Sequence, residues 1–249
     1  MAINKESNVY TIVFATIMVV VVGGILAFLS LSLKDKQEAN GRVKKKIEIL
    51  SALLSEDEMS KIDRTNAEEK YDEFIKEGVL LTSTGAVVKE GVEGKEAAFG
   101  VDIKGEYKNK NIAVKDRQYP MFIAQKDGKT LYIIPVIGKG LWGPIWGNLC
   151  ISEDMRTISG ASFGHQGETP GLGAEISQGF FVDRWTKANE VIADESGEFA
   201  SFEIVKDGSG ANPNKIDGIT GGTITSKGVE EMVNRCLVPY TVYFKTKKS

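Results

Sequence analysis

Four hydroxyl side chains and two adjacent glycines lie within seven residues near the C-terminus of this 249-residue chain. Residues 217–226 read DGITGGTITS, so Thr223 directly follows Gly221 and Gly222 and lies six residues after Asp217. Glycine lets the backbone approach a ligand closely, and a helix N-terminus attracts a phosphate through its N–H groups and its dipole. The segment therefore predicts a threonine that contacts a phosphate or is esterified by one. A plain glycine turn before a capped helix is the alternative.

A second glycine-rich segment, residues 164–175, reads GHQGETPGLGAE. Pro170 restricts its backbone, and Leu172 is an apolar residue among small and polar ones. Such a loop can be an ordinary turn, or it can press its backbone and Leu172 against a flat ligand. Loops of this composition carry function more often than cores do.

Two shorter motifs are typical of enzymes that the rest of the sequence excludes. Residues 138–143 spell G-x-G-x-x-G, but Pro144 follows at once, where a dinucleotide-binding fold needs a helix. Residues 160–164 spell G-x-S-x-G, the nucleophile elbow of a hydrolase, whose acid and histidine follow far downstream. The single histidine, His165, directly follows this motif and cannot serve as the base, so a hydrolase is excluded.

Composition excludes further classes of protein. The net charge is -3 and no basic patch carries interleaved aromatic residues, which excludes nucleic acid as a partner. Cys150 and Cys236 lack CxxC spacing and lie among apolar residues. We therefore expect two buried thiols and no metal site built by this chain alone.

Together the two glycine-rich segments resemble the FMN-binding domain of bacterial respiratory flavoproteins. In that family the pattern Asp-x-x-Ser/Thr-Gly-Ala-Thr ends on the threonine that carries FMN through a phosphoester bond, which a flavin transferase makes from FAD. The resemblance places that bond on Thr223 and transferase recognition on Asp217, with Gly222 standing where the family has alanine. The segment Gly140-Leu141-Trp142 narrows this resemblance to the C subunits of Na+-translocating NADH:quinone reductases. The G subunit of the related Rnf complexes is the alternative.

The resemblance also implies a set of residues around the cofactor. Phosphate contacts are expected from the Gly221-Gly222 backbone, from the helix after Ser226 and from Lys206. Apolar contacts with the isoalloxazine ring are expected from Trp142 and Leu172. The full set of expected cofactor-binding residues is Thr220, Gly221, Gly222, Ile224, Thr225, Glu168, Thr169, Leu172, Gly173, Leu141, Trp142 and Lys206. No catalytic residue and no metal ligand is implied, since the cofactor carries the electron chemistry and the protein sets its position and potential.

Residues 9–33 contain no charged side chain and consist mainly of Val, Ile, Leu, Phe and Ala. About 20 apolar residues cross a bilayer as a helix. A cleaved signal peptide would have a shorter apolar core and a small-residue cleavage site. We therefore expect a retained single transmembrane helix over residues 9–33, after an N-terminal tail of residues 1–8.

Charges beside this span conflict with the topology that the resemblance implies. Lys34, Lys36, Arg42 and residues 44–46 add positive charge after the span, whereas Lys5 precedes it. The positive-inside rule would put the following domain in the cytoplasm, but the family places it on the periplasmic side of the bacterial inner membrane. We follow the family, because long domains translocate largely regardless of nearby charge.

Hydrophobic periodicity beyond the span predicts an α+β fold, with a mostly antiparallel sheet and flanking helices. Residues 34–60 are expected to form a helical connector, and residues 61–249 an extracytoplasmic FMN-binding domain. Strands are expected over residues 85–88, 112–114, 121–124, 129–137, 148–151 and 238–244, with a hairpin turn at 126–129. Residues 229–236 predict an amphipathic helix that begins near Lys227, where Thr225 and Ser226 are placed to cap it.

The sequence and the resemblance therefore predict a membrane-anchored subunit that relays electrons through covalent FMN within a six-subunit Na+-pumping NADH:quinone oxidoreductase. The expected partners are the other subunits of that complex, the flavin transferase and the membrane. An anchored extracytoplasmic binding module without a redox role is the alternative from a different class of protein.

Overall fold

The computed structural model describes residues 7–187, 189–206 and 214–248. The chain divides into two compact units, Met1–Lys45 and Lys46–Ser249. The first helix, α1 (Asn8–Leu50), begins in the first unit and ends in the second. Its apolar part exposes its large side chains and is long enough to cross a membrane. Of the expected N-terminal tail, residues 1–6 lie outside the described residues.

The second unit is built on one six-stranded antiparallel sheet. Its strands are β1 (Ile75–Leu81), β2 (Val87–Glu90), β3 (Tyr119–Lys126), β4 (Lys129–Lys139), β5 (Pro144–Ile151) and β6 (Ile158–His165), in the spatial order β2-β1-β3-β4-β5-β6. From β3 to β6 each strand pairs with the next one along the chain. At the β3–β4 turn Asp127 and Gly128 both have positive φ, which confirms the two-residue hairpin turn expected there.

Further helices and two short strands complete the described part of the chain. The helices are α2 (Glu56–Met59), α3 (Ala67–Phe74), α4 (Gly91–Gly100), α5 (Ile103–Lys108), α6 (Gly179–Val182) and α7 (Thr223–Lys248), and the strands are β7 (Glu203–Val205) and β8 (Lys215–Asp217). Residues Val114–Asp116, Gly173–Ser177 and Asp183–Trp185 form short 3₁₀ helices. Strands β7 and β8 pair in parallel, and β8 ends directly before the glycine turn that leads into α7.

Both faces of the sheet are covered, because strand side chains alternate between two hydrophobic clusters. Met121 and Ile134 point to the face that α7 covers. Their neighbours Phe122 and Ile133 point to the other face, which the end of α1, α3 and α4 cover. The predicted α+β fold, an apolar N-terminal helix followed by an antiparallel sheet with flanking helices, is confirmed.

The predicted strand over residues 238–244 is wrong, because α7 continues through it. Its β-branched and aromatic residues are typical of strands. However, Leu237, Tyr240 and Phe244 are buried against the sheet at helical spacing. Burial at this period overrides strand propensity, even though Pro239 lies inside the helix.

Three other predicted elements differ from the structure. Residues 112 and 113 form no strand and Val114 begins a 3₁₀ helix. The side chain of Val114 is exposed, so burial does not favour a strand there. Residues 85–86 belong to the turn before β2, where Gly85 has a φ of 77° that suits glycine. The helix predicted to begin near Lys227 begins at Thr223.

Candidate functional site

Helix α7 begins at Thr223, the residue that the sequence singles out. The chain enters it through a turn in which Gly221 has a φ of 76° and the N–H of Gly222 donates to the carbonyl of Ile219 at 2.9 Å. The Ser226 N–H then donates to the Gly222 carbonyl, also at 2.9 Å, and this hydrogen bond begins the helix. The first N–H groups of a helix lack an intrahelical acceptor. This end of α7 therefore presents donors and the positive end of its dipole.

The four hydroxyls of this segment divide into two pairs by burial. Thr225 and Ser226 are each 1% exposed. Thr225 donates to a carboxylate oxygen of Glu168 at 2.5 Å, and the Ser226 hydroxyl accepts from a backbone N–H of the preceding turn at 3.0 Å. Thr220 and Thr223 are exposed. The expected helix caps at 225 and 226 are therefore wrong, because these hydroxyls tie the helix to other segments.

Glu168 joins the loop after β6 both to α7 and to the turn between β4 and β5. Its side chain is buried, and the oxygen not bonded to Thr225 accepts from the Trp142 N–H at 2.8 Å. Burial alone would raise the pKa of this carboxyl. Hydrogen bonds from Thr225 and from the backbone N–H groups of residues 141–143 outweigh burial and lower the pKa. Glu168 is therefore an ionised carboxylate at neutral pH.

Two glycines make room for this carboxylate. A Cβ on Gly140 would lie 2.6 Å from one Glu168 oxygen. A Cβ on Gly173 would lie 2.5 Å from the other oxygen and would also collide with the Thr225 hydroxyl. These approaches are closer than van der Waals contact allows, so the three segments can meet here because both positions are glycine.

Thr169 and Gly171 shape the loop that carries Leu172. The carbonyl of Thr169 accepts from the Leu172 N–H at 3.1 Å, and Gly171 has a φ of 77°. Leu172 then lies against the glycine turn, since a Cβ on Gly221 would be 2.6 Å from its side chain. The side chain of Thr169 is exposed at the surface of this loop.

The three joined segments expose four large apolar side chains, which are Leu141, Trp142, Leu172 and Ile224. Trp142 is 69% exposed, which shows that it is not a core residue. Isolated surface apolar residues need no explanation, but several that share one place mark a ligand or partner site. The hydrogen bonds of Glu168 join the segments that carry these side chains, which come from distant parts of the sequence.

A pocket of about 280 Å³ opens beside Thr223. Its wall combines the glycine turn with two lysines, Lys206 and Lys227. Lys227 also donates to Glu230 at 2.6 Å, and the same carboxylate accepts from the N–H of Ile204 in β7 at 2.5 Å. The pocket therefore places an exposed hydroxyl beside Lys206, beside Lys227 with its Glu230 partner, and beside a helix N-terminus. The ammonium groups and the free N–H groups suit a phosphate.

Asp217 ends β8, just before the glycine turn. Arg184 donates to the carbonyls of Asp217 and Gly218 at 2.8 and 3.1 Å, which fixes the backbone there. One carboxylate oxygen of Asp217 is buried without a hydrogen-bond partner among the described residues.

The sequence did not predict that Arg184 or Lys227 would lie at this site. Lys227 lies one helical turn after Thr223 and could have been found from that spacing, whereas no sequence pattern connects Arg184 with the turn.

The two excluded enzyme motifs do not lie at the start of helices. Residues 160–164 lie inside β6, and residues 138–143 run from β4 into the turn before β5.

Cys150 and Cys236 are buried free thiols, as expected, and burial raises the pKa of Cys150 to about 11. Within the described residues, no group of three or more His, Cys, Asp and Glu side chains could hold a metal ion.

The chain is similar to known proteins over nearly its whole length. The FMN-binding domain family matches residues 140–238. The C subunit of the Na+-translocating NADH-quinone reductase from Neisseria meningitidis serogroup A is 30% identical over 236 residues, which cover 91% of this chain and 88% of that protein. The same subunit from Haemophilus ducreyi is 28% identical over 239 residues, which cover 91% of this chain and 88% of that protein. The crystal structure of the C subunit from Parabacteroides distasonis is 40% identical with a TM-score of 0.70, and the match covers 86% of this chain and 97% of that chain.

This chain belongs to the family of C subunits of Na+-translocating NADH-quinone reductases. The match to the FMN-binding domain begins at Gly140 and so includes the Trp142 turn, the Glu168 loop and the start of α7. Gly222 stands where the motif has alanine. A Cβ there would lie 3.0 Å from Ile219 Cγ2 and 3.1 Å from the Leu172 carbonyl oxygen. In this member of the family the turn is therefore packed closely around a glycine.

Proposed function

We propose that this protein is the single-span membrane subunit of a six-subunit Na+-translocating NADH:quinone reductase, and that it relays electrons through FMN attached to Thr223. The observation that carries the proposal is the exposed Thr223 hydroxyl at the start of α7, between a lysine-lined pocket and exposed apolar side chains. Bound FMN supplies the electron-transfer chemistry, while the protein fixes the position and surroundings of the ring.

Attachment is a group transfer from FAD that a flavin transferase performs. The Thr223 oxygen forms a bond to the flavin-side phosphorus, the bond from that phosphorus to AMP breaks, and the hydroxyl proton is released. The resulting phosphodiester carries one negative charge, which the start of α7, Lys206 and Lys227 would stabilise. We assign transferase recognition to Asp217, which opens the motif and has a carboxylate oxygen without a partner among the described residues.

The exposed apolar side chains would cover the isoalloxazine ring. Trp142 offers an aromatic face for stacking, and Leu172 offers an aliphatic surface beside the turn. Leu141 and Ile224 extend this surface, which keeps water from part of the ring. Thr220, Gly221 and Lys206 line the phosphate pocket, Gly222 allows the tight turn, and Thr169 borders the Leu172 loop. Glu168, Gly173 and Thr225 hold the segments together.

Helix α1 would anchor this domain to the inner membrane, since its apolar part is of spanning length. With a single span the chain cannot form an ion pathway by itself, so Na+ pumping belongs to the assembled subunits. We place the domain on the periplasmic side, in agreement with the family resemblance and with the translocation of long domains.

The test uses the full chain produced with its flavin transferase and separated on an unstained denaturing gel under ultraviolet light. We expect a fluorescent band for the wild type and none for Thr223→Ala, with an unchanged circular dichroism spectrum. Thr220→Ala is the matched control, because it removes the other exposed hydroxyl and should keep the band. Mass spectrometry should place the FMN mass on Thr223. A wild type without covalent flavin, or an adduct on Thr220, would contradict the proposal.

A further inference from the structure

The carboxylate of Glu168 lies between segments that are distant in sequence. One oxygen accepts from Thr225, 57 residues away, and the other from the Trp142 N–H, 26 residues away. The N–H of Glu168 itself donates to Nδ1 of His165, the last residue of β6, at 3.2 Å. The residue is therefore held at its backbone and at both ends of its carboxylate, and it is 4% exposed.

A buried carboxylate costs more than an apolar side chain that fills the same space. Removing a charge from water is unfavourable unless hydrogen bonds compensate it, and well-packed apolar replacements are often at least as stable. At this place the chain also has Gly140 and Gly173, where a side chain would collide with the carboxylate oxygens. These features together indicate that this site requires the charge of Glu168 and the direction of its hydrogen bonds, in addition to the volume of its side chain.

We propose that Glu168 is a positioning residue, which holds the Trp142 turn against the first turn of α7 and so fixes Trp142 relative to Thr223. The assignment rests on the proposed function, because Thr223 and Trp142 are the residues expected to touch the two ends of FMN. Thr225 follows Thr223 on the same helical turn, so its bond to Glu168 also sets the position of the acceptor hydroxyl. Glu168 acts through these residues, and not by contact with the flavin.

The first test uses the full chain made without the transferase, and measures hydrogen exchange of the Trp142 amide. Glu168→Leu removes both acceptors, so exchange should become roughly ten- to a hundredfold faster, as expected for a lost hydrogen bond to a charged group. Glu168→Gln keeps an acceptor for Trp142 and can donate to the Thr225 hydroxyl, and should restore most of the protection. Glu175→Leu is the matched control. That carboxylate accepts from Gly171 within the same loop at 2.8 Å, so its loss should leave the Trp142 amide unchanged.

The second test uses the flavin-loaded chain and measures the fluorescence anisotropy of the flavin. Anisotropy should fall in Glu168→Leu and Thr225→Val, because the ring loses its fixed support, and should stay near the wild-type value in Glu168→Gln. If Glu168→Leu does not fold, Thr225→Val compared with Thr225→Ser makes the same comparison, since serine keeps the hydroxyl donor.

Two outcomes would overturn the assignment. Exchange of the Trp142 amide that is as slow in Glu168→Leu as in wild type would show that Glu168 only fills space, and unchanged anisotropy in all variants would show that it does not position the ring. A wild type that carries no flavin would instead contradict the proposed function. In that case the exchange measurement on the flavin-free chain still decides whether Glu168 holds the Trp142 turn.

Discussion

Thr220 and Thr223 are the exposed hydroxyls of the glycine turn, and they differ in their relation to α7. Thr223 is the first helical residue, so a phosphate on its oxygen lies beside the N–H groups of the first turn. Thr220 precedes Gly221, which turns the chain, and lies outside the helix. The helix dipole therefore stabilises an anion on Thr223 more than one on Thr220. The position of Thr223 in α7 therefore selects the same residue as the sequence motif.

Replacing Trp142 should separate a cofactor contact from a packing role. Because Trp142 is 69% exposed, Trp142→Ala should change the free energy of unfolding by no more than about 0.5 kcal/mol. The absorption spectrum or midpoint potential of the attached flavin should shift. Trp185 is 0% exposed, and Trp185→Ala should destabilise the domain by about 3–5 kcal/mol. A Trp142 variant that loses stability to a similar degree without a spectral shift would assign Trp142 to packing.

Replacing the glycines of the turn should show how closely it is packed. In Gly222→Ala the new methyl group would press on Ile219 and on the Leu172 carbonyl, so we expect a destabilisation of about 1 kcal/mol. Gly221→Ala should cost more, because Gly221 has a φ of 76° and its Cβ would lie 2.6 Å from the Leu172 side chain. Thermal unfolding measures both variants. A Gly222→Ala chain more stable than wild type would show that the turn accepts the alanine of the family motif.

At the scale of elements, the sequence predicts structure best where the hydrophobic pattern and tertiary burial agree. The long strand β4 and its hairpin turn are evident from a continuous apolar run and the Asp127-Gly128 pair. Residues 238–244 carry strand-forming side chains, but the sheet face they cover requires burial at helical spacing. Which face a segment will cover is a tertiary property, so local propensity could not predict it.

A charge pair that joins α2 to the sheet predicts sensitivity to acid. Lys126 in β3 donates to Glu58 at 2.6 Å, and Glu58 also accepts from the Ser55 N–H at 2.8 Å. These bonds, that of Lys126 first, lower the pKa of Glu58 to about 2 from its ordinary value of 4.5. The pKa of Glu58 is therefore lower in the folded state than in the unfolded state. The contribution of Glu58 to stability is therefore complete above pH 4.5 and is lost as the pH falls toward 2.

Glu58→Gln should remove this part of the acid dependence. The Glu58 side chain is 40% exposed, so solvent screening limits its contribution to less than about 1 kcal/mol. Thermal unfolding between about pH 7 and pH 3 should show a lower midpoint for Glu58→Gln at neutral pH and convergence with wild type at low pH. Glu69→Gln, on the exposed surface of α3, is the control and should follow the wild-type curve. Parallel curves for Glu58→Gln and wild type would contradict the prediction.

At the scale of the whole molecule, the site forms where three distant segments meet. The sequence predicts two of them, because each is a continuous glycine-rich motif, and it predicts the third from Gly140-Leu141-Trp142. It does not reveal that Glu168 bonds to Thr225 and Trp142 or that Arg184 holds the backbone at Asp217. Such bonds join residues far apart in the chain and leave no local pattern. The segments could therefore be identified from the sequence, but not the contacts that hold them together.

The side of the membrane that the domain occupies is the whole-molecule property on which charge and family resemblance disagree. Basic residues follow the apolar part of α1, which favours a cytoplasmic domain. A domain of about 200 residues can nevertheless translocate regardless of these charges, so we expect it on the periplasmic side. Protease added to intact spheroplasts should digest the domain and remove the fluorescent flavin band. A cytoplasmic protein in the same sample should remain intact as the control. Protection of the domain until the membrane is permeabilised would instead place it in the cytoplasm, in agreement with the positive-inside rule.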